Sequence, residues 1–224
     1  MFTREIFTHK TKKDIMKFKT LETQKKHITK MYNLCSDLEK SDGLNWYKEA
    51  NQFSFHLSEL FGIDSSIKVC GIISALSPAC SWERNKVDTQ NFLALAKLGT
   101  DKEILSGNFG TYKNNVLKAI SIYNLERPTS KKIGEILLGK TGLKTMNFFF
   151  NISNLNNLEA VTIDRHAVKV ANNHYKGGAV SISKNQYEIC SIAYVKVARK
   201  LKIKPFQLQA VVWAKYREIR NLKN

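Results

Sequence analysis

The stretch LLGKTGLKT, residues 137–145, carries two glycines and two lysines behind an apolar approach. Read as helix, tight glycine turn and second helix, it would expose backbone N–H groups at a helix N-terminus, where the helix dipole also favours an anion. A phosphate of a nucleic-acid backbone fits such a turn without any reading of bases. The same pattern also serves as a plain turn between two core helices. What sharpens it is a carboxylate twenty residues past Lys144: Asp164, in VTIDRHAVKV, stands at the expected start of a helix, with His166 two positions on. An amine and a carboxylate beside a turn suited to phosphate define the candidate site.

The elements that must position these groups read as helices. Trp46, Ala50, Phe53, Leu57 and Leu60 step by four and three residues, which predicts one helical face. GIDSS interrupts it, Asp64 and Ser65 can cap the next helix, and IKVCGIISAL is apolar nearly all round and should be buried before Pro78 ends it. SWERNKVDTQNFLALAKLG predicts a helix that stops at Gly99, and Val116, Ala119, Ile120 and Tyr123 mark another. Pro128, Thr129 and Ser130 open the helix that enters the glycine turn. After it come a short greasy helix with the core run Phe148 to Phe150, a polar loop, the brief extended VTI and the helix of Asp164. Tyr187, Cys190, Ala193, Val197 and Leu201 form a stripe on the next helix. The last opens at Pro205 and carries Phe206, Ala210, Trp213 and Tyr216. The expected architecture is all-α, with a basic helical segment over 1–44 and the main domain over 45–224.

Charge bounds the partner. Lys+Arg number 36 against 19 Asp+Glu, a net +17, and residues 165–224 hold thirteen of those cations with two acids. So strong a basic face suits a polyanion, most often nucleic acid, although a lysine-rich composition also serves mere solubility. Cys35, Cys70, Cys80 and Cys190 are scattered without zinc or iron–sulfur spacing, and His56 and His174 have no metal-like company. No metal or other cofactor is expected. No signal peptide and no apolar run of about twenty residues is read. The expectation is a cytoplasmic, nucleoid-associated monomer with reduced thiols and no membrane partner.

With Lys144 just past the turn and Asp164 twenty residues later, the sequence resembles the helix–hairpin–helix DNA glycosylases, the endonuclease III and 8-oxoguanine glycosylase superfamily. There an L-P-G-V-G-x-K-like hairpin precedes a V-D-x-H-V-like segment. IISALSPACSWERN, 72–85, also looks like their early buried helix. The resemblance spans roughly 70–175 and marks a divergent branch. Gly139 stands for the hairpin proline and Lys140 for its first glycine. LSPACSW lacks the glutamine of the base-displacing wedge, and the cluster-binding cysteines of endonuclease III are absent. The resemblance implies a two-lobed helical domain with its hairpin near 133–151 and a cleft between the lobes. It implies excision of a damaged or modified base flipped out of duplex DNA, in repair or in anti-phage defence. Asp164 would stabilise positive charge on the sugar or activate water. Lys144 would attack C1′ as a free amine, a form favoured by burial, basic surroundings and a helix start.

Each assignment has a plainer counterpart. Asp164 caps a helix, Lys144 touches only a phosphate, and His166 packs or faces solvent. The DNA-contacting set is Gly139, Lys140, Thr141, Gly142, Thr145, Arg165 and His166, with Trp82 and Arg84 as wedge candidates after the helix break. Trp82 also suits ordinary core packing. Trp213 reads as core, with Lys215, Arg217 and Arg220 around it facing DNA. The competing classes are a non-catalytic DNA-binding module and an RNA-binding protein using the same basic face. Either class would tolerate loss of Asp164. The charge yields the first prediction: affinity for DNA should fall steeply from low to physiological salt, because each neutralised phosphate releases counterions. Lys140→Ala with Lys144→Ala should weaken it further. A flat salt series would contradict the polyanion reading.

Overall fold

The computed structural model describes residues 16–139, 142–175 and 180–221. Among them are eleven helices and no strand. They are α1 (Leu21–Asn33), α2 (Asp37–Phe61), α3 (Ser66–Leu76), α4 (Trp82–Leu98), α5 (Asp101–Ser106), α6 (Lys113–Tyr123), α7 (Ser130–Leu138), α8 (Leu143–Ser153), α9 (Arg165–Asn172), α10 (Lys184–Leu201) and α11 (Pro205–Ile219). The all-helical expectation holds. No helix among the described residues is long and apolar enough to cross a membrane.

Local chemistry sets most boundaries. Ser36 caps α2 while Glu39 reaches back to the Ser36 N–H, satisfying two otherwise unpartnered donors. Thr100 and Glu103 form the same box at the head of α5, a helix that hydrophobic spacing did not announce. Thr129 caps α7 by accepting from the Lys132 N–H. Pro205 occupies the first position of α11, where its missing N–H has no intrahelical role. The periodic face predicted for α2 is displaced. Tyr47, Ala50, Ser54 and Leu57 are buried, whereas Leu60 is exposed. The cause is α11, which lies against Gly43 and Tyr47 and so decides which side of α2 faces inward.

Two hydrophobic clusters organise the chain. The first joins α2 through α8, with Phe206 and Ala210 of α11. At its centre every residue of α3 from Val69 to Leu76 is buried, as a helix apolar all round must be. Full burial of a side chain such as Ile72, Ile73 or Leu76 contributes about 1.5–3 kcal/mol relative to exposure. The second cluster gathers Ile28 and Met31 of α1, the extended residues Val161 and Ile163, and the inner faces of α9, α10 and α11. The expected stripe on α10 lies here, with Tyr187, Cys190, Ala193 and Val197 buried and Leu201 packed at its edge.

The N-terminal segment is part of this second cluster. The Lys19 N–H donates to Asn172 Oδ1 at 2.7 Å, and His27 Nδ1 bonds the Ala171 carbonyl at 3.0 Å, tying the chain before and within α1 to α9. The division expected between residues 44 and 45 falls inside α2. All four cysteines are free thiols.

The tightest helix crossing makes a prediction. A Cβ on Gly43 would stand 2.5 Å from Val211 Cγ2 and 2.6 Å from Val211 Cα. One contact atom is backbone, so α2 and α11 must separate to admit even a methyl group. Gly43→Ala should cost about 1–3 kcal/mol, the usual penalty of overpacking. At this chain length that lowers the melting temperature by about 2–4 °C per kcal/mol. Thermal and urea unfolding check it, and an unchanged midpoint would rule out so close a crossing.

Candidate functional site

The glycine turn is built as its sequence requires. Gly139 has φ 45° and ψ −133°, a conformation open to glycine alone among ordinary residues. Gly142 has ordinary angles, but a Cβ there would overlap the Leu137 carbonyl oxygen. The Gly142 N–H donates to the Leu138 carbonyl at 2.6 Å, and Lys118 Nζ of α6 donates to the Leu137 carbonyl at 2.7 Å. A cation therefore sits at the carbonyl end of α7, where the dipole favours it. Burial lowers the basicity of that amine. Gly142 provides no side-chain cap for α8, so the first N–H groups of α8 have no intrahelical acceptor and leave a partial positive charge.

Lys144, the second residue of α8, and Phe148, one turn later, face a pocket of about 130 Å³ that also takes in Asp164. An engineered enclosed cavity of ~150 Å³ accommodates one benzene ring; this pocket is comparable and also open to solvent, so it suits a flat ring system. Its walls are aromatic: Trp46, Tyr47, Trp82, Phe148 and Trp213. Trp46 stacks against Trp82 at 5.1 Å between centroids and edge-on to Tyr47 at 4.8 Å, while Phe53 backs Trp82 at 6.0 Å. Trp82 is the first residue of α4, held there by the Ser81 cap.

The extended residues 161–163 deliver the polar floor. Val161 and Ile163 are buried in the second cluster. Successive side chains in extended backbone point to opposite sides, so Thr162 between them turns to the pocket. Its hydroxyl lies 3.0 Å from both the Tyr47 hydroxyl and Asn151 Nδ2. Tyr47 in turn donates to Gln209 Oε1 at 2.9 Å. Burial drives the Tyr47 phenol far above its ordinary pKa, so it keeps its proton. Next comes Asp164, whose Oδ1 accepts from the Ala167 N–H at 2.7 Å and caps α9.

Residues 10–220 match a family model described as "Family of unknown function (DUF7178)". The chain belongs to DUF7178. No curated protein and no solved structure matches. The DUF7178 match runs through both hydrophobic clusters and every pocket residue, from Trp46 to Trp213.

In this DUF7178 chain the expected site residues part company. Lys144, Asp164 and Trp82 line one pocket. Gly139 and Gly142 shape the turn that leads to it, and Thr145 follows Lys144, half-buried outside the lining. Lys140 and Thr141 lie outside the described residues. Arg165 is exposed, and its Nε donates to His166 Nε2 at 3.3 Å. His166 is buried against Tyr216, 5.2 Å between ring centroids, and burial lowers its pKa. Trp213, read from sequence as core, reaches the pocket with the Arg217 guanidinium 4.7 Å over its ring. Tyr47, Thr162 and Gln209 escaped the sequence reading altogether. Their polar atoms meet only through tertiary packing, so no local spacing announces them.

Arg84 does not line the pocket. Its Nε donates to Asp88 Oδ1 at 2.7 Å, and a terminal nitrogen donates to the Asn108 carbonyl at 2.7 Å. The Asp88 side chain is fully buried, and its other oxygen accepts from the Gly110 N–H at 2.7 Å. Arg84→Met removes one partner of a buried carboxylate. It should cost about 1–3 kcal/mol, the penalty for leaving such a group under-satisfied. Urea unfolding measures it. Stability equal to wild type would free Arg84 from this structural role and return it to the surface contacts expected of it.

Proposed function

We propose that this protein is a DNA glycosylase, in which α7 and α8 form a helix–hairpin–helix and the pocket is the cleft between two lobes, each built on one hydrophobic cluster. The observation that carries the reading is the shared pocket of Lys144 and Asp164, ring-sized and aromatic-walled. A base stacked in duplex DNA is out of reach of any side chain, so the nucleotide swings out and its base enters the pocket. Trp46, Trp82 and Phe148 offer faces on which any base stacks, worth roughly 1–3 kcal/mol per base. The start of α8, which Gly142 leaves without a side-chain cap, and the net +17 charge hold the backbone phosphates.

Cleavage of the glycosidic bond leaves positive charge on the sugar. The Asp164 carboxylate, half-buried in the pocket, faces that charge. One oxygen is anchored by the Ala167 N–H, which fixes the carboxylate's direction. In the lyase branch of the reaction the Lys144 amine attacks C1′ and the base departs with the bond pair and takes up a proton. Breaking of the C1′–O4′ bond, with a proton passing from the nitrogen to O4′, then gives the Schiff base that permits strand cleavage. That same Ala167 bond also suits the second reading, a non-catalytic DNA-binding module in which Asp164 only caps α9.

One experiment separates the readings. Asp164→Asn keeps the shape and much of the capping ability, so melting should barely change. Base release under single-turnover conditions, followed by mass spectrometry of free bases from natural and phage DNAs, should fall ~10²–10³-fold. Affinity for DNA should hold or rise, because a negative charge near phosphates is gone. Borohydride should trap an adduct with wild type and not with Lys144→Ala if the amine is the nucleophile. Wild-type base release by folded Asp164→Asn would reduce Asp164 to a cap and overturn the catalytic reading.

A further inference from the structure

The pocket floor carries a proton count that limits what can occupy it. Tyr47 has one hydroxyl proton and two oxygen neighbours, Thr162 Oγ1 at 3.0 Å and Gln209 Oε1 at 2.9 Å. A carbonyl oxygen only accepts, so the Tyr47 proton points to Gln209. The Thr162 hydroxyl therefore donates to Tyr47 and accepts from Asn151 Nδ2 at 3.0 Å. The protons run one way: Asn151 to Thr162 to Tyr47 to Gln209. The Asn151 NH2 group serves the Thr162 hydroxyl. The Asn151 Oδ1 is sealed from solvent without a partner. Reversing the chain would strand that NH2 group instead, and buried N–H groups are left orphaned more rarely than carbonyls.

The fixed direction decides which end of the Gln209 amide is open. The oxygen is taken by Tyr47. The nitrogen has no hydrogen-bond partner among the described residues, and it is not among the atoms sealed from solvent. Gln209 is 5% exposed and lines the pocket, so its N–H groups open there. Two neighbouring protons are committed elsewhere. The Ser77 hydroxyl donates to the Ser74 carbonyl at 2.9 Å, and the Cys80 thiol to the Leu76 carbonyl at 3.2 Å. The remaining charged groups, Lys144 and Asp164, are those already given to the sugar.

We infer that the pocket selects a ring bearing an exocyclic carbonyl oxygen, which accepts from the Gln209 NH2 group, over the same ring bearing an amino group. This deepens the glycosylase reading and rests on it for the ring being a nucleobase. Hypoxanthine fits; its amino counterpart adenine, which has no carbonyl oxygen, sets N–H against N–H. Rejection arises because a buried donor left unpaired loses its hydration without compensation. Tyr47 is the positioning residue that denies the amide its freedom to flip.

The test needs no catalysis. All three tryptophans of the chain, Trp46, Trp82 and Trp213, line this pocket, so intrinsic fluorescence reports its occupancy. Free hypoxanthine and free adenine are titrated separately to millimolar concentration. Wild type should bind hypoxanthine about tenfold or more tightly than adenine. Tyr47→Phe should narrow the preference without abolishing binding, since an unlocked amide presents either end. Gln209→Leu alone strands the Tyr47 hydroxyl, so Tyr47→Phe with Gln209→Leu is the removal variant that should stay folded, and its preference should vanish. Equal affinities in wild type, binding of no base at all, or a preference that survives the double variant would overturn the inference. An oxo preference in a protein that releases no base from any DNA would sink the glycosylase reading and leave this one standing. Base release without an oxo preference would do the reverse.

Discussion

The structure depends on α11 being buried from opposite sides. Phe206 and Ala210, four residues apart, enter the first hydrophobic cluster, while Leu208, Val212 and Tyr216, also spaced by four, enter the second. Two residues on a helix differ by about 200°, so the two sets face nearly opposite ways. A helix apolar on both sides has no solvent face over this stretch. It must join the clusters, and it carries three pocket residues, Gln209, Ala210 and Trp213. Gly43 lets α2 approach closely enough to close the join. Lys215 then ties the far end of α11 to Glu39 at 3.0 Å, at the head of α2.

The seam explains why so many polar atoms lie deep in a small protein. Gln209 sits between the two apolar faces of α11, and Thr162 between two core residues of an extended stretch. Neither reaches water freely, so each must find a partner inside. The chain from Asn151 to Gln209 answers that need and fixes proton directions that solvent would otherwise scramble. Around it, the aromatic walls lower the local dielectric, which strengthens whatever Asp164 and Lys144 do to a charge between them. The chain is cationic overall, and the Asp164 carboxylate offsets part of the repulsion between Arg165 and Arg217.

What could be read from the sequence was local. The helical period located α3, α4, α6 and α10, and turn and cap residues marked the starts of α7, α9 and α11. Asp164 was legible as a cap because a polar residue before an apolar helix has few other uses. The capping box of α5, Thr100 with Glu103, was present and passed over for want of an apolar stripe. The burial of α2 was misplaced at Leu60 because α11, more than a hundred residues away in the chain, sets its inner face. The break expected at residue 44 followed a change in composition, but the chain stays helical from Asp37 to Phe61. Tyr47, Thr162 and Gln209 were out of reach for a related reason: their chemistry lies in one another, not in their neighbours.

The placement of the two clusters along the chain also orders their appearance in time. Most of the first is drawn from a continuous run, Tyr47 to Ile152, whose loop closures are short. The second joins Ile28 and Met31 to residues between Val161 and Tyr216, so α1 waits for the end of the chain before it can pack. Long-range closure is the slower step, and synthesis proceeds from the N-terminus. On a growing chain the middle helices consolidate first. The wall supplied by Gln209, Ala210 and Trp213 arrives last, in the same cation-rich stretch, 165–224, that carries most of the net charge, so the pocket and most of the basic surface are completed together.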